Sequence, residues 1–379
     1  MKKIILIDGG PRKNMNTASL ADAFADGIRE SGDIEVMGNI QNPKEAQNAS
    51  HKKSKKSCFL RGCVCAVLLF ISLVLRTGAC LSMIPAAPAD YTTKTKTGGP
   101  IEAKYLAMGE YAVRSMTVDA EEPMKKLTIT YPEKLETDRR KWPVVVQVNG
   151  TGILPEKYPA VFQHLASWGF IVIGNDDPGT WSGESADKTL DWLLRENERG
   201  GSLFYQKIDI SSVGIIGHSQ GGVGTFNAAT VQSHADLYRA VVALSPTNEE
   251  IAEALKIPYD ISKVKVPVLM AAGTVSDFEV KMVIPLDIMK RMYARLSVPK
   301  AMMRRKECDH GQMLYFADGY VTAWFMWLLQ NDKEAAKAFV GEKPELLTNP
   351  LYQDQESDLG ERTVPDEAET KTIRELNGI

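Results

Sequence analysis

The stretch Gly217-His218-Ser219-Gln220-Gly221-Gly222 decides the reading of this chain, because it joins a run that reads as a buried strand to one that reads as a helix. Upstream, Ser212-Val213-Gly214-Ile215-Ile216 is short, apolar and β-branched; downstream, Val223 to Val231 is a small-residue stretch of helical character. A sharp turn between the two lifts a seryl oxygen off the sheet edge. Such a turn crowds backbone against backbone, so residues without a Cβ are needed on both sides of the serine, and Gly217, Gly221 and Gly222 supply them. Ser219 is therefore the candidate nucleophile.

Working outward, strand patterns occur at Ala112 to Val118, Leu127 to Tyr131, Val144 to Val148, Ile171 to Gly174, Val213 to Ile216, Ala240 to Leu244, Val266 to Ala271 and Lys300 to Arg304. Helical stretches intervene at Tyr158 to Trp168, Ala186 to Asn197, Val223 to Val231, Met282 to Leu296 and Gly319 to Gln330. Apolar strands alternating with helices predict an α/β protein with a mostly parallel sheet covered on both faces. In number and order of elements, residues 103–342 resemble the eight-stranded sheet of the α/β-hydrolase fold. After Lys343 the chain turns polar and acidic, which predicts a C-terminal tail over 343–379 rather than a domain.

In such a sheet the active-site groups sit on loops at the carboxyl ends of strands, in the chain order nucleophile, acid, histidine. Of the five histidines only His310, in the loop Cys308-Asp309-His310-Gly311-Gln312, follows an acid-bearing strand. His310 is the expected base. For the acid, the strand Val266 to Ala272 is left by Gly273-Thr274-Val275-Ser276-Asp277, and Asp277 is the expected partner, with Glu279 as its rival if the loop register differs. Under this assignment Ser219 attacks an ester carbonyl and His310 carries the proton to the leaving alcohol, while Asp277 fixes the imidazole tautomer. The oxyanion needs donors too: the backbone N–H of Gln220, and that of Thr151 in Asn149-Gly150-Thr151-Gly152 after the strand Val144 to Val148.

The gathered motifs resemble the secreted α/β-hydrolases that include cutinases, polyester hydrolases and their dienelactone-hydrolase and chlorophyllase relatives. The resemblance spans about Gly109 to Asp332 and includes Gly109-Glu110-Tyr111-Ala112-Val113-Arg114-Ser115, Leu165-Ala166-Ser167-Trp168-Gly169-Phe170, Val266-Pro267-Val268-Leu269 and Ala323-Trp324-Phe325. It implies a lidless carboxylic-ester hydrolase with an open cleft and neither metal nor cofactor. Polyester-degrading members carry an aromatic at the oxyanion position, methionine after the nucleophile and a cleft tryptophan, where this chain has Thr151, Gln220 and Thr247. These departures point to small acyl esters rather than polymers. Trp181 is a candidate for the cleft wall or for packing. A non-catalytic binding protein on this fold would lack a triad member, whereas this chain retains all three.

The 379 residues are 44% hydrophobic and 25% charged with a formal net charge of -3, values that suit a globular protein and argue against nucleic-acid binding. The first ninety residues differ from the rest. Residues 2 to 7 read as a parallel strand, followed by the loop Gly9 to Thr17 and a helix from Ala18 to Glu30. This resembles the opening of flavodoxin-like FMN reductases, which implies Arg12, Asn14, Asn16 and Thr17 as phosphate contacts, although Met15 stands where that family has glycine. The resemblance ends near Val36, and one strand and one helix cannot enclose an isoalloxazine ring. Residues 1–36 are therefore expected to be a fusion remnant or the product of a misplaced start, with Met37 as the alternative initiator. A flavin-dependent oxidoreductase is the competing reading.

Residues 51–89 have the form of an export signal. Lys52, Lys53, Lys55, Lys56 and Arg61 precede the uncharged run Gly62 to Leu75, and Ala87-Pro88-Ala89 offers a cleavage site. The run falls short of the ~20 residues of a spanning helix, so a cleaved signal is preferred to an anchor. Thr77-Gly78-Ala79-Cys80 resembles a lipoprotein box with Thr77 in place of leucine, which makes a lipid on Cys80 a further membrane attachment. The expected location is extracytoplasmic in a bacterium. Of the five cysteines only Cys308 lies beyond residue 89, so the exported domain has no internal disulfide.

Overall fold

The computed structural model describes residues 2–5, 34–37 and 87–360. The chain divides into two units, Met1–Cys65 and Ala66–Ile379. In the first, strand β1 (Lys2–Ile5) pairs in parallel with β2 (Ile34–Met37), in register from Lys2 opposite Ile34. The expected loop 9–17, the helix 18–30 and most of the export segment, Cys80 included, lie outside the described residues. Among the described residues no helix is long and apolar enough to cross a membrane.

The second unit is built on a nine-stranded sheet of order β11-β10-β9-β8-β7-β5-β6-β4-β3. Its strands are β3 (Val113–Asp119), β4 (Lys126–Pro132), β5 (Trp142–Val148), β6 (Ile171–Asn175), β7 (Ile208–His218), β8 (Tyr238–Leu244), β9 (Val268–Gly273), β10 (Lys300–Arg305) and β11 (Tyr352–Asp358). From β6 through β10 every neighbouring pair is parallel, while β4 is antiparallel to both β3 and β6. The central strands β5, β6 and β9 are buried at every position because both faces are covered. Val144, Val146, Ile215, Val241 and Met270 enter one buried cluster, and the alternate residues Val145, Ile216, Val242 and Ala271 enter the other. One layer of helices closes each face.

The eight expected strands are all present, with an architecture that is the α/β-hydrolase fold. Two expectations are corrected. The sheet has a ninth strand, because part of the supposed tail, β11, pairs antiparallel with β10 through a register shift between Met302 and Arg304. The chain is also packed from residue 87 rather than from about 103. Ala87 is buried and its N–H donates to the Lys157 carbonyl, and the short helices α1 (Tyr91–Lys94) and α2 (Pro100–Leu106) follow.

Four further helices position the site: α3 (Pro159–Ser167), α4 (Glu184–Glu198), α5 (Gln220–Ala228) and α6 (Leu286–Arg295). The single helix expected over Met282 to Leu296 is a π-helical turn, Phe278–Val283, followed by α6. Pro285 separates the two, since proline cannot continue a helix interior. The last helix used here, α7 (Asp318–Gln330), lies against Gly214 of β7, where an added Cβ would come within 2.6 Å of the Phe325 ring.

Candidate active site

Ser219 stands between β7 and α5 with φ 59° and ψ -121°. A non-glycine residue held there is strained, and it is held because everything around it leaves no alternative. An added Cβ on Gly217 would lie 2.2 Å from the Gly221 carbonyl oxygen, and one on Gly221 would lie 2.2 Å from that of Val148. On Gly222 it would meet Pro246 at 2.8 Å. The crowding inferred from the glycines is therefore real at all three. The Ser219 N–H donates to Leu244 at 2.9 Å, and its carbonyl accepts from Gly222 at 3.0 Å and Thr247 at 3.2 Å.

His310 follows β10 and is 9% exposed. Its Nδ1 lies 2.7 Å from Oε2 of Glu279, whose side chain is wholly buried. The other carboxylate oxygen, Oε1, accepts from the Ser245 hydroxyl at 2.6 Å and from the Gly273 N–H at 2.7 Å. A carboxylate beside Nδ1 fixes the proton there and leaves the lone pair on Nε2, the state a general base requires. Burial by itself would raise the Glu279 carboxyl, but the hydrogen bond and charge of His310, with Ser245 and Gly273, outweigh it and hold Glu279 below the ordinary glutamate value.

Asp277 is not in this group. Its side chain is 79% exposed and bridges Lys281 at 2.9 Å, one turn along the same segment. The expectation of Asp277 as partner is therefore corrected to Glu279, the rival. The cause is local: Ser276 takes a left-handed φ of 71°, and the π-helical turn that begins at Phe278 carries position 279 back under β9 while 277 faces solvent. The longer glutamate side chain spans the remaining gap.

Ahead of the nucleophile, the loop after β5 is anchored rather than free. The Asn149 side chain donates to the Asp177 carbonyl at 3.2 Å and to that of Asn175, and accepts from the Tyr158 hydroxyl at 2.6 Å. The Thr180 hydroxyl donates to the Asn149 carbonyl at 2.8 Å. Gln220 heads α5, so its N–H has no intrahelical acceptor. Thr151 is half-buried, and its N–H donates to no backbone carbonyl among the described residues. Both N–H groups are thus available as donors.

The remaining candidates separate. Thr247 sits beside the nucleophile through its N–H, and its own carbonyl accepts from the Tyr259 hydroxyl at 2.9 Å. Trp181 is 7% exposed in a core cluster, where its carbonyl accepts from Asn227 at 2.8 Å, so it packs rather than lines an open surface. Sequence reasoning passed over Ser245, Tyr158 and Asn149. All three lay in stretches already singled out, but no local pattern marks an asparagine, serine or tyrosine that supports another group. Among the described residues no group of three or more His, Cys, Asp or Glu is arranged to hold a metal ion.

A sequence model of the Chlorophyllase family matches residues 102–263. The chain is 25% identical over 180 residues to chlorophyllase-1, chloroplastic, of Citrus unshiu, and 26% identical over the same length to its counterpart in Citrus sinensis. Each match takes in 44% of this chain and 51% of the relative, so the chain spans about half the length of the curated relatives it matches. The family match includes the elbow and the loop after β5 but ends before Glu279 and His310. Those two residues rest on geometry alone.

Proposed function

We propose that the chain, with its α/β-hydrolase fold and its match to the Chlorophyllase family model, is a serine hydrolase of carboxylic esters, working through an acyl-enzyme on Ser219. The observation that carries the reading is the 2.7 Å contact of His310 Nδ1 with the buried Glu279 carboxylate, at the carboxyl edge of the same sheet that presents a strained serine. A second buried pair, His164 with Asp318 at 2.6 Å, shows that such a contact can be structural, so it is the place of His310 and Glu279 on the loops that leave β10 and β9, at the strand ends where Ser219 leaves β7, that supports the reading.

In this mechanism Ser219 Oγ attacks the ester carbonyl carbon while His310 Nε2 takes its proton. Charge growing on the imidazole is met by Glu279, which stays ionised, and charge on the carbonyl oxygen is met by the N–H groups of Gln220 and Thr151. His310 then passes the proton to the departing alcohol. Water repeats the sequence on the acyl-enzyme and releases the acid. The chlorophyllase names of the relatives support an ester as substrate, and the absence of an exposed tryptophan at Thr247 or Trp181 supports small acyl esters over polymers. Export through residues 51–89 belongs to the same proposal and is tested by fractionating cells that express the tagged chain.

The direct test is hydrolysis of p-nitrophenyl esters from acetate to octanoate by the full chain and by Ser219→Ala. Loss of at least about a thousandfold in kcat/KM with the fold retained is the expected result. Equal activity in the two proteins, or a folded wild type inert on every ester, overturns the reading.

A further inference from the structure

His218, the residue before the nucleophile, takes no part in the chemistry above, yet it lies between the nucleophile and the base, in contact with His310. It is fully buried at the last position of β7. Its Nε2 lies 2.7 Å from the backbone carbonyl oxygen of His310, and the two imidazole rings are 4.4 Å apart, tilted by 43°. On the side of the loop after β5, a Cβ added to Gly150 would lie 3.1 Å from His218 Nδ1. A carbonyl oxygen only accepts, so Nε2 carries the proton and Nδ1 the lone pair. That lone pair has no hydrogen-bond partner among the described residues. A buried acceptor left bare is unfavourable, and an apolar ring would fill the space without it. The donor on the opposite nitrogen must therefore be what the position requires.

We propose that His218 is a positioning residue for the reaction, a neutral imidazole whose Nε2–H clamps the main chain of His310 to the nucleophile elbow. The inference rests on the serine-esterase reading. Without the clamp, the tie between the elbow and the loop that bears the base is broken, and a displacement of about 1 Å at the base costs on the order of a hundredfold in rate. The neutral state has a physical cause. Burial first, and then the neighbouring His310, lower the His218 imidazolium to about 3, against a smaller opposing pull from the His310 carbonyl and Glu279. The position thus supplies a donor without placing a second cation against the base.

The test compares His218→Phe, which keeps a ring but no donor, with His218→Gln, whose amide nitrogen reaches roughly where Nε2 lies. On p-nitrophenyl butyrate, His218→Phe is expected to lose about 30- to 100-fold in kcat with KM within about threefold of wild type. His218→Gln is expected to recover to within about fivefold of wild type. Equal kcat for His218→Phe and wild type, or equal losses in the two variants at matched melting temperature, overturns the proposal. Should either variant fail to fold, nitrogen NMR of the histidine-labelled wild type decides. One imidazole is expected to remain the neutral Nε2–H tautomer from pH 8 to pH 5, and its protonation within that range refutes the clamp. A wild type inert on all esters that still shows this imidazole would sink the esterase reading and the positioning role with it, leaving only the hydrogen bond from His218 to the His310 carbonyl.

Discussion

Glu279 and Asp277 stand two positions apart in one loop and have opposite fates. Asp277 is solvated and pairs with Lys281, a surface interaction of about 0–1 kcal/mol. Glu279 accepts from an imidazole, a hydroxyl and a backbone N–H out of contact with water. The Glu279 carboxyl is held below its ordinary value, and the sign of the consequence follows. Its contribution to stability is fully present above the unfolded glutamate pKa of about 4.3 and is lost as pH falls through the lower folded value. Glu279→Gln removes that share, so urea unfolding at pH 6 and pH 4 is expected to show a smaller fall for the variant than for wild type. An equal fall would mean that Glu279 is not the ionised partner of His310. Sequence reading reached the right loop and the wrong carboxylate. Composition cannot register a left-handed Ser276 or a π-helical turn, and these two features choose which acid turns inward.

At the scale of the element, the strand-turn-helix from β7 to α5 was legible because its constraint is steric and local. Three glycines around one serine record three approaches of backbone to backbone, each confirmed by where a Cβ would fall. Gly221→Ala places a methyl 2.2 Å from the Val148 carbonyl oxygen, which only a shift of β5 or of the elbow relieves. The expected cost is about 3 kcal/mol, with loss of activity in whatever remains folded. Gly152, at φ 68°, has nothing within 4 Å of its would-be Cβ. Gly152→Ala should cost only about 1 kcal/mol, for the left-handed backbone. Thermal denaturation of the two variants checks both numbers, and equal costs would contradict the account. The element that escaped the sequence is β11, Tyr-Gln-Asp-Gln-Glu-Ser-Asp. An edge strand needs only main-chain pairing on one side, so its polar side chains give no alternation to read.

At the scale of the molecule, the two ends of the described part of the second unit hold each other. Glu102 of α2 is buried and accepts from the Tyr352 hydroxyl at 2.7 Å, from Asn349 at 2.8 Å and from the Gly98 N–H at 2.7 Å. Glu345 returns the interaction by accepting from the N–H groups of Ile101 and Glu102 at 2.8 and 2.7 Å. Residues 98–102 and 345–352 therefore form one structure, although the sequence reading left 90–102 unassigned and took 343–379 as a polar tail. Such pairings are long-range, and no periodicity in either segment announces the other. Glu102→Ala strands three donors and is expected to cost about 3 kcal/mol, a fall in Tm of roughly 6–12 °C, with kcat near wild type because the site lies elsewhere. A variant that melts like wild type would show the two segments to be independent.

Which carboxylate serves His310 is tested most directly by kcat/KM for Glu279→Gln beside Asp277→Asn on one p-nitrophenyl ester. Glu279→Gln is expected to lose about a thousandfold or more, while Asp277→Asn stays within about twofold of wild type. The reverse ranking, or a fully active Glu279→Gln, would contradict the assignment of Ser219, His310 and Glu279 as the catalytic group.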